Sequence, residues 1–256
     1  MRRRFIADTC SPTSGHPTHA ALVGDQAAHL ARVLRAQPGQ IYDVVANGFL
    51  HRAEITEVSD SQVSFALHEE LQADAGLPMH LLLAVFKFDH FEWAIEKATE
   101  LGVARITPIL ARRTEKHLAH AAAKRVERWR RIALESSKQS RRTDIPEIAE
   151  PAALAPALST EDAPLRILLS ETEQQLHLSR AVAKLEPTDN ESAALSLALA
   201  IGPEGGWAPE EMSLFTAHHW THVTLGPRIL RAETAAIAAI AIAGAQLATG
   251  NGPAIS

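Results

Sequence analysis

Two short loops hold the residues of this chain best equipped for chemistry. The first, Gly202-Pro203-Glu204-Gly205-Gly206-Trp207, follows the apolar run Leu195 to Ile201. The second, Gly226-Pro227-Arg228-Ile229-Leu230-Arg231-Ala232-Glu233-Thr234-Ala235, follows Val223-Thr224-Leu225. Each reads as a buried strand, a Gly-Pro loop and a helix start. Strand ends that open into glycine loops bind ligands in parallel α/β sheets, because backbone groups can approach the ligand closely. The two loops are expected side by side at one sheet edge.

The residue types narrow the ligand. Gly202 to Gly206 lacks the Gly-Lys-Ser/Thr ending of a phosphate loop and does not match Gly-x-Gly-x-x-Gly. Glu204 would repel phosphate, so the loop better suits a positive or neutral centre, or hydroxyls. The competing reading is a tight turn ahead of a helix starting at Ala208-Pro209-Glu210-Glu211, with proline and acids where a helix N-terminus favours them. Arg231 and Glu233 could form a surface pair, or an anion clamp beside a helix start. Among the 13 histidines, His117/His120 and His218/His219/His222 have helical spacing, but no acidic or cysteine partner completes a metal set nearby, so no metal is expected. Neither a Gly-x-Ser-x-Gly elbow nor a Cys/His pairing points to a covalent nucleophile.

These loops need elements to hold them. Residues 1 to 72 read as a small β domain. Phe5-Ile6-Ala7 is a first strand, and Gln26 to Leu34 a short helix with Asp25 as its cap. Ile41 to Ala46, Phe49 to Thr56 and Gln62 to His68 are strands, and Asn47-Gly48 is a two-residue hairpin turn. Many short strands in such a length suggest a barrel. Glu69 to Pro78 reads as a linker. The pattern then changes to buried strands alternating with helices: Leu81 to Phe86, His90 to Leu101, Ile106 to Leu110, Ala119 to Ser137, Leu165 to Leu169 and Ser179 to Leu185. That alternation predicts a parallel sheet covered on both faces, an α/β fold. Ala149 to Pro164 reads as a surface connection. Ile237, Ile240, Gly244 and Leu247 form one apolar stripe on a final helix, for a core or a subunit interface.

Composition is that of an ordinary globular protein of 256 residues, 46% hydrophobic and 21% charged. A single cysteine, Cys10, excludes an internal disulfide framework and suits a reducing cytoplasm. No stretch is long and apolar enough to span a bilayer, so a cytoplasmic location without membrane attachment is expected. The net charge is −5, yet Arg112 to Arg142 is rich in lysine and arginine. That segment is either a solvated helix face or a basic surface for a polyanion such as RNA.

The two loops, with Lys87 to Gly102, Arg128-Trp129 to Arg141 and His29-Leu30-Ala31-Arg32-Val33-Leu34-Arg35, resemble the ribosomal RNA small subunit methyltransferase E family. The resemblance implies a SPOUT-class α/β domain with a C-terminal trefoil knot over 77–256, and a PUA-like, RNA-binding β-barrel over 1–72. It implies a homodimer. The implied reaction is transfer of the S-adenosylmethionine (SAM) methyl group to position 3 of a uridine in 16S rRNA of the small ribosomal subunit.

Under this resemblance Leu169, Ser170, Ile201, Gly202, Pro203, Gly205, Leu225, Gly226, Ile229 and Leu230 would hold the cofactor. Arg231 would orient or stabilise the uridine, with Glu233 holding Arg231. Glu204 and Glu100 are candidates for the proton acceptor. Arg4, Arg32, Arg35, Lys87, Arg112, Arg113, Arg141 and Arg142 would meet RNA. Two rival readings are a catalytically silent RNA-binding ribosome-assembly factor of the same fold, and a small-molecule enzyme using a nucleotide at the same edge.

Overall fold

The structure is a computed structural model, and it describes residues 4–12, 15–72, 76–183 and 196–250. Of the expected elements, the middle of the linker, Lys184 and Leu185, and Leu195 lie outside the described residues. The chain divides into two compact units, residues 1–75 with 137–144, and residues 76–136 with 145–256.

The first unit contains β1 (Arg4–Ile6), β2 (Thr9–Ser11), β3 (His19–Val23), α1 (Gly24–Ala28), a π-helical turn (His29–Val33), β4 (Ile41–Ala46), β5 (Phe49–Val58) and β6 (Gln62–Leu71). The strands form one sheet in the order β1-β4-β5-β6-β3-β2. All neighbours are antiparallel except β1 and β4. Ala46 pairs with Phe49, so Asn47 and Gly48 form the whole turn, both at positive φ (50° and 83°). This is the conformation that favours Asn-Gly. Leu22, Val44, Ala53, Ile55, Val63 and Phe65 pack with Ala27 and Leu30 into the unit's core. Two expectations need correction here. Val23, not Asp25, occupies the helix cap, and Asp25 lies in the first turn. Glu69 to Leu71 are not linker but the end of β6, because that strand stays paired to β5 as far as Leu71.

The second unit runs β7 (Leu77–Ala84), α2 (Phe88–Glu100), β8 (Val103–Leu110), α3 (Lys116–Ala122), a 3-10 turn (Ala123–Arg125), α4 (Val126–Ser140, whose residues from 137 on belong to the first unit), β9 (Glu147–Ile148), β10 (Ala152–Ala153), α5 (Leu154–Ser159), β11 (Leu165–Leu169), α6 (Leu178–Val182), β12 (Leu197–Ile201), α7 (Pro209–Ala217), β13 (Thr221–Val223) and α8 (Ala232–Gly250). Its sheet has the order β10-β8-β7-β12-β11-β13, with β9 beside β8, and all pairs are parallel.

Strand residues alternate between two cores. Leu81 and Leu83 face one cluster with Phe91, Trp129, Ala236 and Ile240. Leu82 and Ala84 face the other, with Leu154, Leu158, Trp207, Phe215 and Trp220. A sheet buried on both faces demands such uninterrupted apolar strands. The segment Ala149 to Pro164 is therefore more than a surface connection, since it supplies β10 and α5, with Leu154 and Leu158 buried. The helix expected from Ala119 to Ser137 is broken by the 3-10 turn into α3 and α4.

Candidate active site

β12, β11 and β13 are consecutive neighbours in the sheet. Because the pairing is parallel, their carboxyl ends point the same way and deliver three loops to one edge. The strands that lead into the Gly202 and Gly226 loops are thus not adjacent: β11 lies between them, and its own loop, Ser170 to His177, lines the same cavity. Backbone bonds tie the walls together. Ser170 N–H donates to Val223 O (3.0 Å), Thr224 N–H to Leu176 O (2.9 Å) and Leu178 N–H to Thr224 O (3.1 Å).

The result is a cavity of about 1030 Å³. Every residue expected to hold the cofactor lines it: Leu169, Ser170, Ile201, Gly202, Pro203, Gly205, Leu225, Gly226, Ile229 and Leu230. Glu204, Arg231, Lys87 and Arg113 line it too.

The two leading glycines are required for different reasons. A Cβ on Gly202 would lie 3.0 to 3.3 Å from the Trp207 ring, closer than ordinary packing permits. Trp207 is itself buried and packs edge-on against Phe215 at 4.9 Å. Gly226 has open space around it but sits at φ +119°, where an L side chain is strained. Behind the first loop, the Glu211 carboxylate accepts the Ala208 and Arg112 backbone N–H groups, both at 2.8 Å. It thereby fixes the start of α7 to the chain after β8. The Arg113 guanidinium donates to Gly205 O (2.5 Å). Glu204 faces the cavity from the same loop.

One assignment changes. Glu233 does not hold Arg231. It is buried in the first turn of α8 and bonds His90 Nδ1 at 2.9 Å, across to α2. Glu233 is buried toward α2, while Arg231, in the loop before α8, stays exposed at the cavity. Sequence reasoning missed His90, His177 and Glu173 as lining residues. Only the proximity of Ser170 to a strand end signalled the loop after β11. Glu173 accepts the backbone N–H groups of Leu176 and Gln175 (3.0 and 2.7 Å), which hold its carboxyl below the ordinary range.

The residues expected to meet RNA are scattered. Lys87 and Arg113 lie at the cavity and Arg112 is exposed beside them. In the first unit, Arg4 donates to Arg141 O, Arg32 pairs with Asp60 (2.9 Å) and Arg35 is exposed at φ 50°. Arg142 needs correction: its side chain is buried and paired with Asp144. The basic segment is also less basic in space than in sequence. Glu92 takes Arg125 and Arg128, and Arg130 pairs with Glu127 and Glu150. Among the described residues, no group of three or more His, Cys, Asp or Glu is placed to hold a metal ion. No described helix is long and apolar enough to cross a membrane.

Comparison with known proteins places the chain among RNA methyltransferases. Residues 73–244 match the RNA methyltransferase domain family. The chain is 31% identical to ribosomal RNA small subunit methyltransferase E of Bacillus subtilis, over 94% of both chains. It is 30% identical to that of Mycobacterium tuberculosis, over 94% of this chain and 90% of the relative. In structure it is similar to ribosomal RNA small subunit methyltransferase E from Neisseria gonorrhoeae bound to SAM, with a TM-score of 0.73 and 25% identity over 94% of this chain and 96% of that one. A Legionella pneumophila protein solved with bound SAM gives 0.76 and 28%, over 96% and 98%. With its two glycine loops at one sheet edge and these relatives, the chain belongs to the ribosomal RNA small subunit methyltransferase E family.

Proposed function

We propose that this chain methylates N3 of one uridine in 16S rRNA of the small ribosomal subunit, using SAM. The broader activity, SAM-dependent methylation of rRNA, follows from its family. The observation that carries the finer reading is the cavity at three adjacent strand ends, which gathers the glycine loops and Arg231 in one place. Its walls fit the cofactor. Gly202 and Gly226 leave backbone exposed where a side chain would strain or collide, and Leu225, Ile229 and Leu230 offer apolar surface. Ser170 and Pro203 complete the walls around them. When bound, SAM supplies an electrophilic methyl group on a cationic sulfonium. Glu204, a carboxylate at the cavity, is compatible with that positive charge and would repel a phosphate.

The uridine imide is weakly acidic, so reaction at N3 requires charge stabilisation as its proton leaves. The Arg231 guanidinium supplies it, being exposed at the cavity and at the N-terminal end of α8. Lys87, Arg112, Arg113 and Arg141 are assigned to RNA phosphates, with Arg4, Arg32 and Arg35 from residues 1–72, read as a PUA-like barrel. Arg142 leaves that set because it is buried. Residues 77–256 are read as the SPOUT domain, knotted at its C-terminal loops. A homodimer is part of the reading, carried by the family resemblance alone: on α8, Ile240 and Leu247 of the expected stripe are buried in the core. Action in the cytoplasm is assigned with the ribosomal substrate.

The test uses SAM carrying a labelled methyl group and small subunits from cells lacking the activity. Wild type is expected to transfer label, and Arg231→Ala to lose about 100-fold or more in kcat with little change in SAM affinity. Unchanged turnover in Arg231→Ala would dismiss its role. RNA binding without any transfer would move the reading to a silent assembly factor.

A further inference from the structure

We infer that His90 is the catalytic base that takes the uridine N3 proton, held in its working tautomer by Glu233. This rests on the reading just proposed. His90 lies in the first turn of α2 and lines the cavity, with its side chain 38% exposed. Its Nδ1 sits 2.9 Å from Glu233 Oε1, and the Glu233 side chain is only 5% exposed. A carboxylate bound to one ring nitrogen fixes Nδ1 as the donor and leaves Nε2 unprotonated, the arrangement that makes imidazole a proton acceptor. The pairing is set by the fold, because α2 and α8 pack against each other through Phe91, Ala94, Ala236 and Ile240 in one core. The start of α2 is anchored too: Phe88 lies beneath the Arg125 guanidinium (4.6 Å) and beside Trp129.

The other candidates at the cavity fit the task less well. His177 lines it, but its backbone is committed to a bridge with Thr224 and it has no carboxylate partner among the described bonds. Glu173 is tied to two backbone N–H groups, which lower its basicity. Glu171 and Glu204 are exposed at the cavity, with no bond among the described residues that would hold either carboxylate in one orientation. Glu233 is buried and reaches the cavity through His90. The charged groups near His90 are Lys87 and Asp89 beside it on the chain, Glu233 from α8 and Arg231 from the loop before α8. Arg113, Arg228 and the carboxylates just named lie along the remaining walls.

The step balances. The N3–H proton passes to His90 Nε2, and the N3 electron pair forms the bond to the methyl carbon. The carbon–sulfur bond breaks with its electrons kept by sulfur, and His90 later returns the proton to water.

The test compares wild type, His90→Gln and Glu233→Gln for SAM affinity, methyl transfer and its pH dependence. His90→Gln is expected to bind SAM within about twofold of wild type while kcat falls about 100-fold or more. The wild-type loss of rate on acidification should disappear in His90→Gln. Added imidazole should restore part of the activity of His90→Ala. A second readout needs no activity: in histidine-labelled protein, nitrogen NMR should show His90 protonated on Nδ1 at neutral pH, shifting toward Nε2–H in Glu233→Gln. His90→Gln with near-wild-type turnover and an unchanged pH profile would overturn the proposal, as would an Nε2–H tautomer in wild type. Wild type that transfers no label would instead remove the methyltransferase reading itself, and this inference with it.

Discussion

Replacing Gly202 by alanine probes the cavity with one methyl group. The added Cβ would stand 3.0 Å from Trp207 Nε1, 3.2 Å from Cδ1 and 3.3 Å from Cε2. Ordinary contact begins near 3.5 Å, so something must move by a few tenths of an ångström. The indole has little room, being edge-on to Phe215 at 4.9 Å, which in turn packs against Trp220 at 5.3 Å. Nor can the backbone retreat easily, because Ile201 beside it is paired to Leu83. Overpacking of this kind costs about 1–3 kcal/mol. At about 2–4 °C per kcal/mol for a chain of this size, Tm should fall by about 2–12 °C. If the loop rather than the indole yields, the cost appears in binding, where about 1.4 kcal/mol is a tenfold loss of SAM affinity. Calorimetric titration with SAM, together with thermal unfolding, separates the two. Unchanged affinity and unchanged Tm would refute the close packing of Gly202 on Trp207.

Three further outcomes are expected. Gly226→Ala should weaken SAM binding nearly as much as Gly226→Val, because the obstacle is φ +119° and not crowding; a tolerated alanine with an intolerable valine, read by the same titration, would mean a steric cause. Arg142→Ala should cost about 1–3 kcal/mol of stability in chemical denaturation, since it removes a buried guanidinium and its bonds, that to Asp144 among them; normal stability with weakened RNA binding would return Arg142 to the RNA-contacting set. Burial pushes the Glu161 carboxyl up, but hydrogen bonds from His80 (2.5 Å) and the Ala163 N–H (2.9 Å) outweigh this and hold it below its ordinary value of 4.5. A depressed carboxylate stabilises the fold above its unfolded-state value and loses that contribution as pH falls through the folded-state one. The Tm gap between wild type and Glu161→Gln should therefore be full at pH 6 and shrink toward pH 3, and a gap independent of pH would contradict it.

The sequence made strands and loops legible where local chemistry decides them. Apolar runs buried on both faces marked β11 and β12, and Asn47-Gly48 marked its hairpin, because the positive φ values it adopts are ones those residues tolerate. Strand order was not legible. Nothing in the spacing of Gly202 and Gly226 tells that β11 inserts between their strands, since that depends on pairing between distant segments. The Glu233–His90 bond spans 143 positions and was hidden by the nearness in sequence of Arg231, an attractive but wrong partner. The charge of the Arg112 to Arg142 segment is also not local: Glu92, Glu150 and Asp144, which pair with its arginines, lie outside it in sequence.

The most direct measurement of the central claim is the identity of the methylated nucleoside. Purified protein would be incubated with methyl-labelled SAM and small subunits from cells lacking the activity, and the 16S rRNA digested to nucleosides. The account predicts label in 3-methyluridine alone, from a single site. Label in another nucleoside, or none despite RNA binding, would contradict it.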